Sequence, residues 1–252
     1  MIKREPLRSE EYFDEFIALK RQAVIKDSLA LTTYPEQFAR PDAAAVFLLN
    51  DQRALLVAEY SRGYALDLLY QEYLTVLESL ERLVAIDIDG TFTLIFKNDI
   101  DSYVEALWLL SQAYLLGLEH SAIERLLDCL GPAGQDLLFE RLVAAVLPGS
   151  VRKPAKKLLY PKAYQALYEA LDAPAAQQAE LLQQFLSNWY KQMRNTGWHD
   201  AHKMPNGGGY FGYWCWEAAA VAVALGVDDT GFRDSVYYPR DLADFARARL
   251  SS

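Results

Sequence analysis

The run Ala218 to Leu225, AAAVAVAL, admits few structures. Its residues have high helix propensity, and with no polar side chain in the run it has no solvent face. Gly226 follows directly, in the place of a C-terminal stop. Just upstream stand Gly207 to Gly209 and then Tyr210, Phe211, Tyr213, Trp214 and Trp216. The segment therefore predicts a buried helix from about Phe211 to Leu225. Its alanines let neighbouring helices approach closely, and aromatics fill the wider space at its start. Glu217 is the anomaly, because a carboxylate among aromatics is costly to bury without a partner. Arg233 and Arg240 are the nearest bases in sequence, and a tyrosine hydroxyl is the other candidate; either explains Glu217 better than a catalytic role does.

The rest of the chain carries the same periodicity. Ser9-Glu-Glu supplies an N-cap and an acidic first turn for a helix to about Ser28. Pro35 and Pro41 bracket a short element. From Pro41, apolar residues recur at three- and four-residue spacing to about Ala85, which predicts one long helix with Gly63 as a tolerated weak point. Asp99 and Asp101 open a helix that Gly117 closes. Further helices span about 119–130, 135–146, 162–171 and 174–190, and a last one follows Pro239. Short Gly/Pro connections between such segments define an all-α fold, an array of about ten helices in two closely packed regions. The basic segment 149–162 marks the expected boundary, giving domains 1–150 and 151–252.

Charge narrows the function classes. The chain has 25 basic and 34 acidic side chains, net -9. The imbalance is concentrated in residues 51–150, with 6 basic and 16 acidic side chains. That argues against nucleic-acid binding and suits a basic protein partner. No apolar run reaches membrane-spanning length, and the charged N-terminus has no signal-peptide core, so a cytoplasmic location with no membrane association is expected. Cys129 and Cys215 sit in separate apolar contexts and read as buried thiols rather than a disulfide. An exposed part of the aromatic cluster would suit a homodimer.

Three motifs suggest enzymes and fail on context. Asp87-Ile-Asp89-Gly90-Thr91 has the spelling of a haloacid-dehalogenase nucleophile motif, in which Asp87 would be phosphorylated beside Mg²⁺ and Asp89 would act as acid/base. Asp228 and Asp229 could pose as the later Mg²⁺-binding acids. That chemistry needs a parallel sheet, and the chain before Asp87 reads as helix. Asp89-Gly90 reads better as a turn, with 91–96 an extended bridge. His199, Asp200 and His202 lack the spacing of a zinc helix, so no metal is expected. The triple glycine lacks the flanking strand and Lys-Ser/Thr of a phosphate cradle. No catalytic set, cofactor or metal ligand follows from these residues; a Mg²⁺-dependent phosphatase at Asp87 and Asp89 and a helical protein-interaction adaptor stay as the alternative readings.

The pattern Gly212-Tyr-Trp-Cys-Trp-Glu-Ala-Ala-Ala-Val-Ala, Leu225-Gly226-Val227-Asp228-Asp229, Phe232-Arg233 and Tyr238-Pro239-Arg240-Asp241-Leu242 resembles the C-terminal domain of PoNi-type immunity proteins. The motif positions are Tyr213, Trp214, Trp216, Glu217, Arg233, Tyr238, Pro239 and Asp241, with Cys215 and Trp216 where the family pattern varies. The likeness is specific over about the last 45 residues and looser before, resting there on helical pattern and the stretch Asp99 to Gly117. It implies a non-enzymatic immunity protein that binds and neutralises a PoNe-type DNase toxin delivered between bacteria by secretion systems. With the acidic middle third, it makes Asp87, Asp89, Asp99 and Asp101 the expected toxin contacts.

Overall fold

The computed structural model describes residues 2–87, 89–92, 94–205 and 209–250. The chain is all-α, with ten α-helices, two 3-10 turns and no strand among the described residues. It forms two compact units that are discontinuous in sequence: Met1–Thr93 with Ala201–Tyr213, and Leu94–Asp200 with Trp214–Ser252.

The first unit is built on α1 (Glu10–Thr33), α2 (Pro41–Arg62) and α3 (Leu66–Ile86). The Ser9 hydroxyl caps α1 through the Tyr12 N–H. Helix α2 packs against both α1 and α3, and its second half is buried on every side. The expected long helix from Pro41 to Ala85 is in fact two. Gly63 ends α2 in the left-handed conformation, φ 103°, and a Cβ there would meet the Ile2 carbonyl oxygen at 2.1 Å. The helical period does continue past the break, which is why spacing alone hides it. Segment 209–213 completes this unit: the Tyr12 hydroxyl donates to Tyr210 O, the Ser61 hydroxyl to Phe211 O, and the Tyr210 hydroxyl to Glu5 Oε1 at 2.5 Å. These tertiary bonds hold the strip extended, so the expected helix over 211–225 starts only at Trp216.

The second unit contains α4 (Ile100–Leu116), α5 (His120–Cys129), α6 (Leu137–Val146), α7 (Pro161–Asp172), α8 (Ala175–Gln192), α9 (Trp216–Ala224) and α10 (Arg240–Leu250). Asp99 caps α4 by accepting from Asp101 N and Ser102 N, and Gly117 closes it at φ 78°. Helix α9 lies at the centre, against α4, α6, α7, α8 and α10, and is buried from Trp216 to Val223. Its alanines make that possible, since neighbouring helices approach it from several sides. Both cysteines are buried thiols. No helix among the described residues is long and apolar enough to cross a membrane.

Candidate functional site

The motif residues of the second unit form a closed core. Cys215 N donates to Tyr237 O at 2.8 Å, fixing the approach to α9. Glu217, fully buried in the first turn of α9, accepts from Trp189 Nε1 at 2.8 Å and from the Tyr164 hydroxyl at 3.3 Å. Both donors are neutral, and Glu217 Oε2 has no hydrogen-bond partner among the described residues. Burial therefore dominates: it pushes the Glu217 carboxyl up to about 7 against the Trp189 and Tyr164 hydrogen bonds. The basic partners considered for Glu217 are engaged elsewhere. Arg233 pairs with Asp229 and Asp244, both at 2.7 Å, and Arg240 with Asp234 and Asp241. Of the two explanations open in the sequence, the tyrosine hydroxyl is the one realised, joined by an indole.

Asp229 is the second buried acid. It accepts from Arg233 Nη1 at 2.7 Å, from Arg247 Nη1 at 2.6 Å and from the Tyr238 hydroxyl at 3.0 Å. Burial alone would raise its carboxyl. The Arg247 and Tyr238 hydrogen bonds and the two guanidinium charges outweigh it, so Asp229 titrates below the ordinary carboxylate range. Pro239 and Tyr238 lead into α10, which carries Asp241 in its first turn and supplies Asp244 and Arg247 to this network. Arg247 and Asp244 were not legible as partners from sequence. The i, i+4 spacing of Asp229 and Arg233 was the one available signal. A ring cluster of Trp108, Trp189, Trp198 and Tyr237 encloses the Glu217 end, with centroids 5.2 to 6.5 Å apart. Tyr213, Trp214 and Trp216 are each buried in the single chain.

The expected contact acids sit in different settings. Asp87 follows the end of α3 and accepts from Thr91 N at 2.9 Å and Phe92 N at 2.8 Å, closing a turn. Asp89 is exposed in that turn, and Ile88 lies outside the described residues. Both belong to the first unit. Asp99 and Asp101 belong to the second: Asp99 caps α4, and Asp101 accepts Gly197 N through both oxygens, at 2.9 and 3.1 Å. Burial and the nearby Asp99 charge raise the Asp101 carboxyl against that hydrogen bond.

The enzyme-like motifs do not assemble. Asp87 terminates a helix rather than a strand, and its carboxylate is occupied by backbone N–H groups. Asp228 accepts from Thr230 N and the Thr230 hydroxyl. His199, in the second unit, stacks on Tyr190 with 3.7 Å between Nδ1 and Asp200, whereas His202 belongs to the first unit, where its Nδ1 lies 2.9 Å from the Tyr213 hydroxyl. Among the described residues no group of three His, Cys, Asp or Glu side chains is placed to hold a metal ion. Gly207 and Gly208 of the triple glycine lie outside the described residues.

Among the described residues the chain is all-helical and the motif side chains Glu217, Arg233 and Tyr238 are engaged in internal pairing. The comparisons with known proteins place it further. The family model of the PoNe immunity protein (PoNi), N-terminal, matches residues 4–128, and that of PoNe immunity proteins (PoNi), C-terminal, matches residues 134–242. The chain belongs to the PoNi family of PoNe immunity proteins. The crystal structure of protein PA2201 from Pseudomonas aeruginosa has the same fold, with a TM-score of 0.71 and 24% identity over 98% of this chain and 93% of that one. The search of curated proteins gave no match.

Proposed function

We propose that this protein acts in the cytoplasm as a stoichiometric, non-enzymatic inhibitor that binds a PoNe-type DNase toxin and neutralises it. The observation that carries this reading is that models of both halves of the PoNi family match, together spanning nearly the whole chain. The charge balance supports it. A DNase presents cations to phosphate, and a chain of net -9 is suited to meet such a surface and unsuited to bind the nucleic acid itself. Asp87, Asp89, Asp99 and Asp101 are the proposed acidic contacts; Asp89 and Asp99 are exposed.

The test is co-expression with the toxin gene encoded beside this one. The expected result is rescue of growth and co-purification of a complex whose association rate falls with salt. Lysine at Asp89 and Asp99 should slow association about tenfold at low salt while leaving the thermal midpoint in place. Unchanged affinity and salt dependence would remove these acids from the contact; absence of both binding and rescue against an active toxin would overturn the immunity reading.

A further inference from the structure

In the first unit α1 and α3 both pack on α2, and between them runs a groove of about 670 Å³. Val24, Ile25, Ser28, Leu29 and Thr32 of α1 form one wall; Glu72, Thr75, Glu78, Ser79 and Arg82 of α3 form the other. Ile25 and Leu29, one helical turn apart, are exposed at 69% and 64%. The floor is Gln52 of α2. Its side chain is buried, at 7% exposure, and its Oε1 has no hydrogen-bond partner among the described residues. An unmatched buried acceptor is a cost that a folded chain ordinarily avoids.

The charges of the groove are ordered along its length. Glu72 and Glu78 make no ion pair among the described residues, and Glu72 lies close enough to the buried Glu59 to help raise its carboxyl. Arg82, towards the far end, donates to the Thr32 hydroxyl at 3.2 Å. The groove thus offers an apolar rim, an acidic stretch and an acceptor in need of a donor. The α1 wall, from Val24 to Thr32, is about 12 Å long, which seats roughly two turns of helix. We infer that this groove docks a short basic amphipathic helix of the partner protein, with a Lys or Arg side chain reaching the Gln52 amide. Its apolar face would cover Ile25 and Leu29, in the helix-in-groove mode. Rotation about the last torsion of Gln52, which is soft, turns Oε1 to the incoming donor. The identity of that partner rests on the immunity reading above.

The experiment measures affinity for the neighbouring toxin with the full chain and with Leu29→Arg, Glu72→Gln, Gln52→Leu and, as a control far along the sequence, Val151→Arg. Leu29→Arg should weaken the complex at least tenfold and Glu72→Gln severalfold. Gln52→Leu should also weaken it about tenfold while raising the thermal midpoint of the free protein, since it removes an unmatched buried acceptor. That opposition is not expected of a purely structural residue. Val151→Arg should leave affinity unchanged. If the parent protein binds the toxin and the groove variants bind equally well, the groove inference is wrong and the immunity reading stands. If Gln52→Leu lowers the midpoint and Leu29→Arg leaves affinity unchanged, Gln52 is structural and the inference falls. A dimer in sedimentation equilibrium that Leu29→Arg dissociates would assign the groove to a second copy and overturn it. No binding by the parent to an active toxin would remove both readings together.

Discussion

The two compact units bury acids on different terms. In the first, Glu59 is fully buried and makes a 2.6 Å ion pair with Arg21 through one oxygen, while Oε2 has no hydrogen-bond partner among the described residues; burial, with the nearby Glu72, pushes its carboxyl up to about 7. Beside it lies an open groove. In the second, Asp229 has two guanidinium groups and a hydroxyl, and Glu217 has two neutral donors inside a sealed aromatic core. Full pairing holds an acid charged, whereas neutral donors or half a partner leave it near the point of protonation. The motif that identifies the family therefore reads as architecture.

The contrast can be broken most forcefully at Asp229. Asp229→Ala removes the acceptor shared by Arg233, Arg247 and the Tyr238 hydroxyl, leaving Arg233 with Asp244 and Arg247 with Asp244 and Val227 O. It should cost about 3 kcal/mol in urea unfolding, at the lower end for a broken buried pair because both arginines can turn toward water. A loss below about 1 kcal/mol would mean the network contributes little to the second unit. Next is Glu217. Its folded carboxyl lies at about 7, above the ordinary 4.5, so the native state holds its proton longer than the unfolded chain does. The associated stability is complete below about pH 4.5 and is lost as pH rises to about 7. Glu217→Gln should gain about 2 kcal/mol over the parent at pH 8 and little at pH 4.5. Glu59 titrates in the same direction, so part of the slope should survive in that variant. A parent whose urea midpoint does not change between pH 5 and 8 would refute both shifts.

The smallest effect compares two helix ends. Gly63 and Gly117 close α2 and α4 with positive φ. A Cβ at Gly63 meets backbone, the Ile2 carbonyl, which cannot move without displacing the N-terminal strand of chain; at Gly117 it meets the end of the Arg249 side chain, which can. Gly63→Ala should cost about 2 kcal/mol and Gly117→Ala about 1 kcal/mol. Equal costs would show that backbone strain, and not the neighbour, sets the penalty.

Much of the architecture was legible because it is local. Ser9, Asp99, Gly117, Pro41 and Pro161 mark helix ends by caps, left-handed closure or a fixed φ, all chemistry within a few residues. What escaped was tertiary. Gly63 breaks a helix whose apolar period runs on, and the strip before Trp216 is held extended by bonds to Tyr12, Ser61 and Tyr237. Glu217 finds donors 28 and 53 residues away, which no local spacing announces. The unmatched Gln52 gave no signal: it stands in the polar run Asn50-Asp51-Gln52-Arg53 of α2, where one more polar side chain passes unnoticed and nothing shows the groove above it.

The discontinuity of the first unit has a consequence for the order of synthesis. Its three long helices leave the ribosome first, yet the strip that satisfies Glu5 and Ser61 belongs to Ala201–Tyr213. More than a hundred residues of the other unit must be made in between. The nascent first unit therefore waits, with Glu5 and Ser61 lacking their strip partners, until most of the chain has been translated. A ribosome stalled far enough past residue 93 for α3 to clear the exit tunnel would hold α1–α3 as a helical layer open to proteases, and one stalled equally far past 213 would hold it closed.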